Sequence, residues 1–408
     1  MNARMNRILM IVAATVLTIA LLAGVVSARN AELTVVAKPS LENVRDYAAA
    51  VADKTYAIDG GVLFAGGPQG WVAVATPDEI IAGAVAVDPR RPETIYVGAA
   101  NTLTLYRSND GGQNWLRVPL SDEYIGGVTD IAVDGDQRLV YVGTDTAGLF
   151  RLRDVGSSII LSGHLRLDEP VVEVAADSSG QGMVFARTRN ELYRAESYGM
   201  NWSVVENLGS APTALTIAGG SPATVYVGTT DRGLVKSTDG STWVMANEGL
   251  GLVPGSRLQV DALAVDPQQP NVLYVATSYL YGTGEVHQSP VGVAMSTNGA
   301  ENWVTLHTDR QVAVASLLPL GGETGAVYAV TNLSRTPQPL GTAPAAPAEV
   351  ADSLVDAQTG PLSVTGVIAW IVAGLAALAL VYSVVNDLRR RRPVAGRPLA
   401  KSPVHNNR

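Results

Sequence analysis

Two stretches of the chain, GAVAVDPRRPETIYVGA at Gly83–Ala99 and DALAVDPQQPNVLYVAT at Asp261–Thr277, align without a gap. Asp88 falls on Asp266, Pro89 on Pro267, Pro92 on Pro270 and Tyr96 on Tyr274. Apolar and small residues alternate, break at Asp-Pro and then alternate again, which is the pattern of two short strands joined by a turn. The second half recurs along the chain as VLFAGG from Val62, LVYVGT from Leu139, MVFART from Met183, TVYVGT from Thr224 and AVYAVT from Ala326. From Tyr96 onward the aromatics of this phrase (Tyr141, Phe185, Tyr226, Tyr274, Tyr328) are 45, 44, 41, 48 and 54 residues apart. Such intervals match the roughly 40 to 50 residues of a four-stranded propeller blade. Phe64 precedes Tyr96 by only 32 residues, too few for a whole blade.

The repeating unit therefore reads as an inner strand (VAVD), a second strand (IYVG), a third (LYRS) and an outer one (NWLRV). Inner strands are legible near Val85, Thr129, Val172, Ala214, Ala262 and Val312. The last of these is followed by one partner strand, and the N-terminal fragment GVLFAG…GWVAVA has no inner strand before it. Joining the two deficits predicts an all-β propeller of six blades, with seven as the alternative, whose ring is closed by strands from both ends of the repeat. Such closure removes open sheet edges. Leu33–Asp53, with Val44, Tyr47, Ala48 and Val51 at helical spacing, reads as a short connecting helix within residues 29–54. The propeller is then expected over residues 55–333.

After the third strand of the unit containing Tyr96 comes SNDGGQNW, with Ser108, Asp110, Gly112 and Trp115. Three other units carry relatives. AESYGMNW keeps Gly199 and Trp202; STDGSTW keeps Ser237, Asp239, Gly240 and Trp243; STNGAENW has Ser296, Asn298 and Trp303. The unit around RLRDVGSS has lost the pattern. A Ser hydroxyl and an Asp carboxylate two residues apart bond the backbone of their own turn, Gly permits positive φ, and the Trp opens an outer strand. One such turn per blade spreads these groups around a ring instead of converging them on a ligand, so the reading is structural. The pattern resembles the Asp-box, or BNR repeat, of propellers such as bacterial sialidases, xyloglucan-degrading enzymes, sortilin ectodomains and the photosystem II stability and assembly factor family. The VDP and YVGT phrases are most similar to the assembly-factor and sortilin-type members. The resemblance implies the architecture strongly and the function weakly, since those families do different things.

The ends of the chain bound its location. Ile8–Val26 is uncharged and follows Arg4 and Arg7, so residues 1–28 read as a signal peptide or an uncleaved membrane anchor. Residues 334–361 are rich in Pro and Ala and read as a linker. Leu362–Val385 is apolar and long enough to span a bilayer, giving a transmembrane helix over 362–386, and the run Arg389–Arg392 places the tail 387–408 in the cytoplasm. The propeller is expected on the extracytoplasmic side of the cell membrane. Residues 29–386 hold 36 Asp and Glu against 20 Lys and Arg. That acidity argues against nucleic acid as a partner. With no cysteine and four scattered histidines, no metal or other cofactor is expected.

On parity, the turns after the first and third strands share one face, and the turns after the second strand share the other with the links between blades. The Asp-box turns occupy the first face, which leaves the link face for ligands. There the unit of Tyr274 is long: 29 residues separate Tyr274 from Trp303, against 17 between Tyr226 and Trp243. The extra loop carries Tyr279, Tyr281, Glu285 and His287, a set suited to recognition. The expected function is a non-enzymatic, membrane-anchored scaffold or assembly factor that binds another membrane or exported protein. The alternatives are a glycoside hydrolase of sialidase or xyloglucanase type, which needs two carboxylates in one cleft, and a sortilin-like peptide receptor.

Overall fold

The computed structural model describes residues 37–342 apart from short gaps at 39, 50–54, 68–69, 78–79, 178–181, 252, 254–255, 308–311 and 320–325. Both expected membrane segments, 1–28 and 362–386, and the tail lie outside these residues. Among the described residues no helix is long and apolar enough to cross a membrane.

The described strands form seven antiparallel sheets, so the ring has seven blades and not six. Their inner strands are Val44–Ala49, Ala82–Asp88, Val128–Asp134, Glu173–Ala176, Pro212–Ala218, Arg257–Val265 and Val314–Pro319. Five blades are four-stranded meanders, the first has an additional outer strand at Ala37–Lys38, and the seventh has three strands. Apolar clusters fill each space between successive blades, including the one between the seventh blade (Leu318, Val330) and the first (Val44, Ala57, Phe64, Trp71). Among the described residues no strand is exchanged between the ends of the repeat. The ring closes by packing, by Val44 N–H donating to Arg335 O at 3.1 Å and by a Tyr47 hydroxyl bond to Pro319 O.

The missing blade was hidden by an error of phase. VLFAGG is the third strand of blade one, and the second strand is Thr55–Asp59 (TYAID). Its register, Ala48 opposite Tyr56, matches Ala132 opposite Tyr141 in blade three. Tyr56, and not Phe64, is thus the repeat aromatic, and it lies 40 residues before Tyr96. The expected helix is the inner strand Val44–Ala49. An inner strand is sandwiched between neighbouring blades, so both of its faces are apolar: Tyr47 packs toward blade seven and Ala48 toward blade two. Two apolar faces on one strand mimic helical spacing. The expected linker also begins too early, because Gln338–Thr342 pairs with Ala326–Thr331 as the third strand of blade seven. Residues 343–361 lie outside the described region.

Candidate functional site

On the face bearing the turns after strands one and three, the serine-aspartate turns are self-contained. Ser108 Oγ accepts from Gly112 N–H at 2.8 Å and Asp110 N–H at 3.3 Å. Asp110 accepts from the backbone N–H groups of Gln113 (3.0 Å) and Asn114 (2.9 Å), and from the Asn114 side-chain amide (2.7 Å). These bonds, the Asn114 amide first, hold its pKa down at about 2. Ser237 and Asp239 repeat the arrangement around Gly240, Ser241 and Thr242, and the Thr242 and Ser241 N–H groups keep Asp239 well below the usual carboxylate range. In the third copy Ser296 Oγ accepts from Ala300 N–H, and Asn298 replaces the aspartate. The tryptophans lock the outer strands: Trp115 Nε1 donates to Ala75 O at 2.8 Å and Trp303 Nε1 to Ala246 O at 2.8 Å. In the most degenerate copy Trp202 packs in the core between blades three and four, and Trp243 lies edge-on to Phe185.

The turns of blades three to six are also sockets for the preceding blade. Tyr141 Oη donates to Tyr198 O at 3.0 Å, and Arg151 Nε donates to the same oxygen at 2.6 Å. Two intervals on, between blades five and six, Tyr226 Oη (3.1 Å) and Lys236 Nζ (2.8 Å) both bind Gly299 O. Between blades two and three, where the turn pattern is lost, Tyr96 Oη binds the Asp154 carboxylate at 2.8 Å and Arg107 binds Gly156 O at 2.6 Å. Between blades four and five Phe185 replaces tyrosine, and Arg194 reaches Ser241 Oγ at 2.7 Å. An aromatic on strand two and the basic residue opposite it on strand three therefore clasp the next blade's turn. This explains the turn glycines beyond their φ: a Cβ on Gly199 would meet the Tyr141 ring at 2.7 Å, and one on Gly240 the Phe185 ring at 2.8 Å.

On the opposite, link-bearing face the ring opens into a cavity of about 780 Å³. Its wall includes Asp46, Asp130 and Glu173, which sequence reasoning missed, together with Arg45, Thr129, Ser316 and Arg335. These three acids occupy equivalent positions on the inner strands of blades one, three and four, and in blades one and three the acid sits beside a bulge. Asp46 accepts from Tyr47 N–H at 2.8 Å and from Val85 N–H of blade two at 2.7 Å. Asp130 accepts from Ile131 N–H at 2.8 Å and from Val174 N–H of blade four at 2.6 Å. Each carboxylate is thus a bracket between adjacent blades. Burial pushes the Asp46 pKa up to about 6, and burial together with the Asp46 charge pushes Asp130 up to about 8. Glu173 is paired with Arg187 at 2.6 Å. Among the described residues no cluster of three or more His, Asp or Glu is arranged to hold a metal ion.

The long segment of blade six is a hairpin and not a loop. Leu273–Tyr281 pairs with His287–Ser296 up to Tyr281 opposite His287, so only residues 282–286 form the turn. Tyr281 and His287 are exposed, with ring centroids 5.5 Å apart, and Glu285 is exposed in the turn. Tyr279 belongs to a different role: its hydroxyl binds Gly251 O and ties down the link from blade five. Asp261 braces the hairpin from behind through Ser278, Gln288 and Gln259, and burial raises its pKa.

No protein-family model and no curated protein matches the sequence. Among solved structures, a GH74 xyloglucanase from Xanthomonas campestris aligns at 21% identity with a TM-score of 0.53, over 73% of this chain and 52% of that one. YCF48 bound to a D1 peptide aligns at 13% identity and a TM-score of 0.51, over 73% of this chain and 93% of that one. An ancestral GH74 enzyme aligns at 14% identity and a TM-score of 0.50, over 74% and 45%. The chain thus spans about half the length of the xyloglucanase it resembles. At these identities the likeness establishes a β-propeller of four-stranded blades and nothing finer.

Proposed function

We propose that this chain is a non-catalytic β-propeller, anchored in the cell membrane with its ring on the extracytoplasmic side, that binds another membrane or exported protein as a scaffold or assembly factor. The observation that carries this reading is the blade-six hairpin. It departs from the repeat, extends the sheet beyond its neighbours and presents Tyr281 and His287 to solvent, whereas the polar groups of the repeated turns are spent on their own backbone. YCF48, a propeller of similar fold, was solved with a peptide bound, which supports protein recognition on such a frame. The test is a photo-crosslinking amino acid at position 281 in intact membranes, followed by mass spectrometry. A defined protein captured at 281 and absent with the probe at Met200, on the opposite face, is expected; equal or no capture at both positions refutes the reading.

A second reading, glycoside hydrolysis, is favoured by one observation. Asp46 and Asp130 line a single cavity and burial raises the pKa of both, which sets two carboxyls in one cleft as such hydrolysis requires. Turnover of xyloglucan oligosaccharides or sialosides that disappears in Asp130→Asn would establish it in place of the scaffold.

A further inference from the structure

Away from the outer strands, exposed large apolar side chains gather on the link face. In ring order they are Val253 in the link into blade six, Tyr281 and Val286 on the blade-six hairpin, Leu333 on blade seven, Val62 on blade one, Ile81 in the next link and Ile125 in the one after. Ile125 is 95% exposed and Leu333 82%. Among the described turns of the opposite face only Val155 and Met200 are comparable. Single exposed apolar residues are ordinary, but a run along successive blades on one face marks a docking surface. The rest of the link face, over blades three to five, is charged instead. Its turns and links carry Asp145, Asp168, Glu169, Glu191, Glu206, Asp231 and Glu248 against Arg166, Arg189 and Arg232, and two more acids, Asp122 and Glu123, precede Ile125 in the link at the edge of the apolar run. The rim therefore has an apolar arc and an acidic arc on either side of the cavity mouth.

Resting on the scaffold reading above, we propose that this rim docks a positively charged amphipathic segment of its protein partner, the apolar stripe along Tyr281, Leu333, Ile81 and Ile125 and the basic side chains over the acidic arc. Burial of aliphatic loop tips supplies the attraction, and complementary charge fixes orientation and speeds encounter. A bilayer is the less suitable occupant, because the acidic arc would meet anionic headgroups. The mouth itself is close to balanced, since Arg45 and Arg335 line it with the three carboxyls and Arg187 pairs Glu173. The charge selection accordingly belongs to the arc over blades three to five.

The test uses the full chain in nanodiscs of zwitterionic lipid, with empty discs as reference, and three 14-residue peptides: an amphipathic Leu/Lys helix, its Leu/Glu counterpart and a Ser/Lys counterpart. The Leu/Lys peptide is expected to bind at least tenfold more tightly than either of the others and to weaken as salt rises. The pair Ile125→Ser with Leu333→Ser should weaken it at least tenfold, and Met200→Ser should leave it unchanged. Equal binding of the Leu/Glu peptide, indifference to the rim substitutions, or rim-dependent binding of the chain to protein-free anionic vesicles each overturns the proposal. If the Leu/Lys peptide fails while a probe at 281 still captures a protein, the assigned partner chemistry is wrong and the scaffold reading stands. If that probe captures nothing, the scaffold reading falls first.

Discussion

Replacing Asp130 with asparagine should change the pH dependence of stability more than stability itself. In the folded ring burial and the neighbouring Asp46 hold the Asp130 proton up to about 8, against 3.8 for the free side chain. A carboxyl whose folded pKa is raised favours the protonated form, so its contribution is complete below 3.8 and is lost as pH rises through the folded value. That interval is about four pH units, and at roughly 1.4 kcal/mol per unit ionisation withdraws on the order of 5 kcal/mol across it. Asparagine cannot ionise, but its NH₂ cannot accept from Val174 N–H as the second carboxyl oxygen does, which costs about 1 to 3 kcal/mol at every pH. Between pH 5 and pH 8 the gap between Asp130→Asn and the parent should therefore move by about 4 kcal/mol in favour of the variant. Urea unfolding followed by tryptophan fluorescence at half-unit pH steps measures this directly. A gap that stays constant with pH would refute the premise that the carboxyl is held protonated.

Three further outcomes follow from the clasps between blades and from the hairpin. Gly240→Ala puts a Cβ 2.8 Å from the Phe185 ring at a φ of 69°, and should cost about 1 to 3 kcal/mol by thermal denaturation. Tyr226→Phe removes one of two donors to Gly299 O and should cost about 1 kcal/mol, while Lys236→Met in the same background should cost more than it does alone, because the last donor is then lost. Tyr281→Ala should leave the melting temperature within a degree of the parent and weaken partner capture at least tenfold; a drop in stability instead would make the residue a strut.

The meander was legible because the inner-strand and second-strand phrases repeat nearly verbatim in blades two and six, at Asp88–Tyr96 and Asp266–Tyr274. Blade one escaped because TYAID preserves only the aromatic of that phrase, while VLFAGG imitates it one strand too late. The acidic wall was not legible for a different reason. Asp46, Asp130 and Glu173 stand in the dissimilar phrases VRDYAA, VTDIAVD and EVAA, and only the common pairing register reveals that they share one position. The basic clasp residues were in plain view as YRS, FRL, YRA and VKS, yet their importance depends on reach into the neighbouring blade, which no local pattern encodes. Of the four residues singled out on the hairpin, Tyr281, Glu285 and His287 are exposed. Tyr279 lies on the same side of the strand as Tyr281, but two residues nearer the ring, where its hydroxyl reaches the Gly251 carbonyl of the incoming link, a contact that no local pattern encodes.

The clasps run in one direction, blades two to five each gripping the turn of the one after it, and the relay has an end. Blade six offers Tyr274 opposite Met295, with no cation, and blade seven has no described fourth strand to form a turn. Among the described residues blade one meets blade seven through bonds around Glu42, Val44, Tyr47, Arg335 and Thr336. The circle is therefore mechanically a chain with a weld, and pulling, heating or proteolysis should part it at that weld first. Amide exchange that is fastest at the junction of blades seven and one, and slowest between blades two and four, would be the signature of such a polarised ring.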